Sequence, residues 1–260
     1  MIFLKLGGSL ITHKDQAETA QITVIRRLAR EIANALSQVP DMQLLIGHGS
    51  GSFGHHAAQR FGTARGAASW EDWVGFAEVW RTAQQLNRIV SDELRNAGIP
   101  IINFSPSASA VCQEGELKHM AIEPILRALA VGLIPLTHGD VAFDRVNGST
   151  IISTEQIFQY LSERLQPQRV LLAGLDAGVY PDPNNPKKVQ TTIAPEDLEQ
   201  IKLGQSQSVD VTGGMASKVQ LAVEMIQANP ALEISIFSGL EEGAVEASLL
   251  GAKLGTLIIA

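Results

Sequence analysis

Short apolar runs that end in glycine turns, alternating with segments of helical period, limit this fold more than any other feature of the chain. Residues 1–6 run into Gly7-Gly8, and residues 44–46 run into Gly47-His48-Gly49. Between them Ile22, Ile25, Leu28, Ile32 and Leu36 recur along one helix face. An uninterrupted apolar run is the signature of a strand buried on both faces, and parallel strands need a crossover helix between them. The alternation continues with helices at 70–96, 121–130, 155–165, 215–228 and 241–250, and strands at 101–104, 133–136, 170–173, 233–237 and 256–259. The expected class is therefore α/β, a mainly parallel central sheet sandwiched between helices. Gln113-Glu114-Gly115-Glu116 reads as a hairpin turn. Asn147-Gly148, between residues 141–143 and 151–152, reads as a type I′ turn because both residues tolerate positive φ. A loop holding Pro181, Pro183 and Pro186 and a polar segment up to Asp210 show neither period.

Composition narrows the class of ligand. With 45% hydrophobic and 18% charged residues in 260, the chain can bury a large core, and we expect one domain over 1–260. Its N-terminal lobe, about 1–165, and its C-terminal lobe, about 166–260, would serve two different ligands. A net charge of −7 argues against nucleic-acid or anionic-membrane partners, whose attraction depends on clustered Lys and Arg. The single Cys112 excludes an internal disulfide and a Cys-based zinc cage, and suits a reducing compartment. Without a secretory h-region or a long apolar span, a cytoplasmic location is expected.

Ligands of such sheets bind beyond the carboxyl ends of the strands. Three glycine turns are placed there: Lys5-Leu6-Gly7-Gly8-Ser9, His48-Gly49-Ser50-Gly51-Ser52, and Thr212-Gly213-Gly214-Met215 opening a helix that carries Lys218. Glycines let backbone N–H groups at a helix start approach an anion, so three such turns point to phosphate. Gly49 to Gly54 also matches G-x-G-x-x-G, which leaves a nicotinamide-dependent oxidoreductase as an alternative. That fingerprint needs a strand ending in an acidic residue about 20 positions on, and residues 69–80 are helical instead. No Gly-Lys dipeptide occurs, so a Walker A loop is absent, as are the His-Arg-Asp and Asp-Phe-Gly of protein kinases. A phosphoryl transferase would then draw its cations from dispersed lysines. Lys5, at the end of an apolar strand, Lys14 and Lys218 are the candidates.

Taken together, Lys5 to Ser9 with Lys14, His48 to His55, Gly139-Asp140-Val141, Asp176 to Tyr180, and Thr212 to Met215 with Lys218 resemble the amino-acid kinase family over essentially the full chain. Ser52-Phe53-Gly54-His55 resembles the branch that phosphorylates isopentenyl phosphate, rather than those acting on acetylglutamate, uridylate, carbamate or glutamate. The resemblance implies an ATP-dependent kinase with Mg²⁺ and a prenyl or alkyl monophosphate acceptor, working as a homodimer. It implies that Lys5, Gly7, Gly8 and Ser9 line the ATP phosphates, with Ser50, Asp176, Tyr180 and Gly213 on the nucleotide side. Lys14 and Lys218 would neutralise the moving phosphoryl group. His55 would hold the acceptor phosphate, Gly49 and Gly54 would donate backbone N–H groups to it, and Thr154 would add to the acceptor site. Two positions depart from the family pattern. Ser50 stands where a glycine is usual, and Ser153-Thr154-Glu155 stands for Ser-Gly-Asp, which makes Glu155 the candidate lysine-positioning carboxylate. No protein metal ligands are expected.

A monophosphate acceptor is already largely ionised at pH 7, so no general base is needed, and His55 would orient and stabilise charge. A five-carbon tail needs an apolar slot, for which Phe61, Trp73, Phe76, Val79 and Trp80 are available. A fosfomycin-type kinase of the same fold and a ligand-sensing module are the remaining alternatives.

Overall fold

The computed structural model describes residues 1–181, 189–199 and 214–260. In chain order its elements are β1 (Ile2–Leu6), α1 (Gly8–Ile11), α2 (Ile22–Gln38), β2 (Leu44–His48), α3 (Gly51–Phe61), α4 (Trp70–Asn96), β3 (Ile101–Asn103), β4 (Val111–Gln113), β5 (Glu116–His119), α5 (Glu123–Ala130), β6 (Ile134–His138), β7 (Asp140–Asp144), β8 (Gly148–Ile152), α6 (Thr154–Leu165), β9 (Arg169–Gly174), β10 (Thr192–Ile193), α7 (Gly214–Ala228), β11 (Glu233–Ser238), α8 (Ala244–Leu249) and β12 (Thr256–Ile258). Eight strands form one sheet in the order β10-β12-β11-β9-β1-β2-β6-β3. Its pairings are parallel except β11 with β12. A second sheet, β5-β4-β7-β8, holds both hairpins. The α/β class with a mainly parallel, helix-flanked sheet is thus observed.

Strand β1 sits at the centre, with Lys5 opposite Gly47 of β2 on one side and Leu172 of β9 on the other. Side chains alternate across a strand. Ile2, Leu4 and Leu6 therefore enter one core with Ile25, Leu28 and Ile32 of α2 and Leu86 and Val90 of α4. Phe3 enters the opposite core with Ile157, Phe158 and Leu161 of α6, its ring 5.1 Å from that of Phe158. Burying one such aromatic ring contributes on the order of 1.5–3 kcal/mol, enough to fix α6 on this face. Lys5, two residues after Phe3, shares that face and is aimed at the start of α6.

Helix α4 matches its expected span because Ser69 and Asp72 form a capping box at its start. Gly98, with φ 84°, follows its end. The hairpin around Asn147 exists with a different turn. Asp144 pairs with Gly148, and Gly148, but not Asn147, takes positive φ. The Asp144 carboxylate accepts the Val146 and Asn147 N–H groups at 2.9 and 2.8 Å, which folds residues 145–147 into a three-residue loop. The two consecutive left-handed residues lie in the other hairpin, at Glu114 (φ 54°) and Gly115 (φ 83°). Helix α8 starts later than residue 241, since Gly243 at φ 82° precedes it. Residues 192–193 add an edge strand that their polar setting concealed. Pro183, Pro186, Thr212 and Gly213 lie outside the described residues.

Candidate active site

Two of the glycine turns meet backbone to backbone where β1 and β2 end. A Cβ built on Gly8 would lie 2.5 Å from the Gly51 nitrogen, and one on Gly49 would lie 2.7 Å from the Gly8 nitrogen. Side chains at either place would wedge the turns apart. Gly51 has φ 51° as the first residue of α3, a left-handed conformation that favours glycine. Helix starts leave their first N–H groups without intrahelical partners, and here α1 and α3 start side by side.

Above this junction lies a cleft of about 350 Å³. The end of β1 and the start of α1 supply Lys5, Gly7, Gly8 and Ser9 to its wall, and Lys14 follows. The second turn supplies Gly49 and Ser50, and α3 supplies His55. Thr154 and Glu155 come from the start of α6, Asp176 from beyond β9, and Lys218 from the second turn of α7. The residues singled out from sequence therefore converge on one cleft, with three exceptions. Tyr180 is half-buried outside the cleft lining, Gly54 borders a smaller adjoining cavity, and Gly213 lies outside the described residues.

Lys5 donates from Nζ to Glu155 Oε1 at 2.7 Å, and both side chains are at most 10% exposed. Burial pushes the Glu155 carboxyl up, but the Lys5 and Lys218 charges and the Lys5 hydrogen bond outweigh it and hold the group below the usual carboxylate range. Ser153, not Glu155, caps α6, in a capping box with Gln156. Glu155 is thus left for the lysine, at a helix start where the macrodipole also favours negative charge. A Cβ on Gly47 would lie 2.5 Å from Thr154 Cγ2 and 2.8 Å from the Phe158 ring, so this glycine lets α6 approach Lys5.

Two expected backbone donors need correcting. The Gly49 N–H donates to the Leu6 carbonyl at 3.0 Å, and the Gly54 N–H donates to the Ser50 carbonyl at 3.2 Å, so neither is an open donor for an acceptor phosphate. Gly49 contributes close approach instead, and a Cβ on Gly54 would lie 2.4 Å from Ser50 Oγ. Thr154 gives its hydroxyl proton to the His48 carbonyl at 2.7 Å, tying α6 to the end of β2.

Beneath the second glycine turn is a buried polar layer that the sequence motifs did not bring together. His48 and His138 stack with centroids 5.4 Å apart. Burial depresses both, His138 well below the ordinary histidine range with help from His48. His48 Nδ1 lies 3.0 Å from the Gly49 carbonyl, and His138 Nε2 lies 3.1 Å from the Gln84 amide nitrogen. Asp140 Oδ2 is 3.6 Å from His138 Nε2, and burial pushes its carboxyl up to about 6 against hydrogen bonds from Ser107 and Val141. The signal was available, since His138-Gly139 repeats the strand-end pattern of His48-Gly49. His56, the neighbour of His55, is exposed, and its Nε2–H donates to the Lys14 carbonyl at 3.2 Å.

The small cavity beside His55 is walled by Ala58, Val79, Ala83 and Ile151, with Gly54 and Asp140. Of the five side chains suggested for an apolar slot, Val79 reaches it and Phe76 packs against the same cluster. Trp73 instead joins Phe76 and Phe143 in an outer aromatic group, Phe61 contacts Arg60, and Trp80 is exposed.

This arrangement is that of a phosphoryl-transfer family, and residues 1–238 match the family model described as the amino acid kinase family, to which the chain belongs. It is 36% identical to the isopentenyl phosphate kinase of Methanothermobacter thermautotrophicus, with 99% of this chain and 98% of that protein covered. It is 31% identical to the isopentenyl phosphate kinase of Methanocaldococcus jannaschii at the same coverage. A solved isopentenyl phosphate kinase structure superposes with a TM-score of 0.85 at 32% identity, covering 99% of each chain. The likeness within the family that the Ser52 to His55 motif suggested is borne out.

Proposed function

We propose that the protein transfers the γ-phosphoryl group of ATP to isopentenyl phosphate, forming isopentenyl diphosphate. It is a phosphotransferase whose acceptor is itself a phosphate group. The observation that carries this reading is the pair of glycine turns in backbone contact beneath one cleft bearing Lys5, Lys14, Lys218 and His55. Such a site suits two anions brought end to end. Phosphoryl transfer spreads negative charge over the equatorial oxygens, so catalysis is mostly positioning and charge stabilisation.

On this reading α1 receives the nucleotide phosphates through Gly8 and Ser9, and Lys5, fixed by Glu155, faces them. Lys14 and Lys218 stabilise the group in flight. His55, which borders the small adjoining cavity, holds the acceptor phosphate while the tail is directed toward Val79, Ala83 and Ile151, which must move apart to admit it because the cavity encloses only about 10 Å³. The likeness to isopentenyl phosphate kinases favours a prenyl or alkyl chain over the small polar acceptor of a fosfomycin-type kinase. The N-terminal lobe would serve the acceptor and the C-terminal lobe the nucleotide, whose phosphates would reach across to α1. Magnesium would arrive with ATP and supply charge neutralisation at its phosphates, since it keeps most of its waters and needs few protein ligands. The described residues bring together no group of three His, Cys, Asp or Glu that could hold a metal.

The homodimer and the cytoplasmic location belong to the same reading. Strand β3 ends the large sheet and offers an edge to a second copy, and the lone Cys112 is buried, as suits a reducing compartment. No helix among the described residues is long and apolar enough to cross a membrane. The test is ADP release with ATP, Mg²⁺ and a panel of acceptors. Isopentenyl phosphate and short alkyl phosphates should be turned over at least about tenfold faster than fosfomycin, a difference of about 1.4 kcal/mol in the barrier. Equal or preferential use of fosfomycin would refute the assignment.

A further inference from the structure

In-line transfer requires more than two phosphate sites. It requires a fixed distance between them, because a misplacement of about 1 Å at the reacting atoms can lower the rate on the order of 10²-fold. The two glycine turns come from different strands, and their backbones touch without any covalent link nearby. Besides the Gly49 N–H bond to the Leu6 carbonyl, one side chain among the described residues joins them. Thr12, the residue after α1, is 1% exposed. Its hydroxyl donates to the Gly8 carbonyl at 2.8 Å and accepts the Ser52 N–H at 3.0 Å.

Both partners matter for the site. Gly8 is the first residue of α1, and Ser52 is the second of α3. Ser52 N–H is one of the orphan donors of a helix start, and Thr12 both satisfies it and anchors it to the other turn. A Cβ on Gly51 would lie 2.3 Å from Thr12 Oγ1, so the absence of a side chain there gives the hydroxyl its place. Thr12 is itself held from behind, where Gln21 Nε2 donates to its carbonyl at 3.1 Å. The hydroxyl is therefore a strut with a fixed base.

We infer that Thr12 is a positioning residue whose hydroxyl sets the spacing between the donor-phosphate turn and the acceptor-phosphate turn. It touches neither ligand. The inference rests on the two-anion reading of the cleft given above. Losing the strut should leave each anion's own site intact and disturb only the relation between them.

The experiment compares the wild type with Thr12→Val, which keeps the shape and removes the hydroxyl, and Thr12→Ser, which keeps the hydroxyl. Turnover of isopentenyl phosphate is measured together with calorimetric binding of ADP and of adenosine 5′-tetraphosphate, whose terminal phosphate reaches past the donor site. In Thr12→Val, kcat should fall at least about tenfold while both KM values stay within about threefold, and Thr12→Ser should remain within about threefold of wild type. The tetraphosphate should bind at least about tenfold more weakly to Thr12→Val, with ADP nearly unchanged. Should Thr12→Val fail to fold by circular dichroism, Thr12→Ala carries the same readouts.

A wild type that ignores isopentenyl phosphate would remove the acceptor assignment. The tetraphosphate-to-ADP ratio would then decide the strut alone. The strut is overturned if the hydroxyl-free variant keeps its turnover. It is also overturned if Thr12→Ser is equally impaired, or if ADP and tetraphosphate weaken in parallel.

Discussion

Replacing Glu155 by glutamine separates what the buried Lys5–Glu155 pair does for the fold from what it does for chemistry. The substitution keeps the side-chain size and removes the charge, leaving the Lys5 ammonium 7% exposed beside a neutral amide. Removing one partner of a buried ion pair typically costs about 3–5 kcal/mol. The amide oxygen can still accept the hydrogen bond, so a loss near the lower end is expected. The pH dependence carries a sign. The folded carboxyl sits below its ordinary 4.5, so the pair's contribution is present above about pH 4.5 and lost as pH falls through the lower folded value. Wild type should therefore lose stability on that acid limb, and Glu155→Gln should lose less. In catalysis, a Lys5 no longer aimed at the phosphates should lower kcat at least about tenfold, about 1.4 kcal/mol in the barrier. Stopped-flow ADP release with melting curves from pH 3.5 to 8 measures both. Unchanged turnover alongside reduced stability would refute the positioning role and leave Glu155 as a partner in folding only.

His55→Ala should lose about 10²–10³ in turnover while retaining ATP affinity, as expected for loss of one preorganised donor at the acceptor phosphate. Calorimetry with a non-hydrolysable ATP analogue checks the second half. Lys14→Met and Lys218→Met should each depress kcat more than they raise the KM for ATP, and a change confined to KM would reduce either lysine to a ground-state anchor. Asp140 titrates at about 6 in place of 3.8, which corresponds to about 3 kcal/mol. Its ionisation works against the fold, so this contribution is intact below about pH 4 and lost as pH rises past 6. Relative to wild type, Asp140→Asn should gain melting temperature between pH 4.5 and pH 8, and a pH-independent difference would contradict the buried ionisation.

The elements with strong periodicity were legible in the sequence because burial on one or both faces imposed it. The span of α4 and the order of strands β1, β2, β6, β9 and β11 follow from the apolar runs. The turn at Asn147 was not legible, because a carboxylate three residues earlier reorganised the loop through backbone hydrogen bonds. The convergence of Lys5, Lys14, His55, Glu155 and Lys218 followed from motif order. The availability of particular N–H groups did not. Gly49 and Gly54 look like free donors until Leu6 and the first turn of α3 are seen to use them. Thr12 carries no motif at all, and its place between the turns is created only when α1 and α3 pack together.

Product identity tests the account most directly. With ATP, Mg²⁺ and isopentenyl phosphate, phosphorus-31 NMR should show the acceptor's single resonance replaced by two mutually coupled signals, with ADP appearing in equal amount. Consumption of ATP to ADP and free phosphate, with the acceptor signal unchanged, would contradict transfer between the two sites.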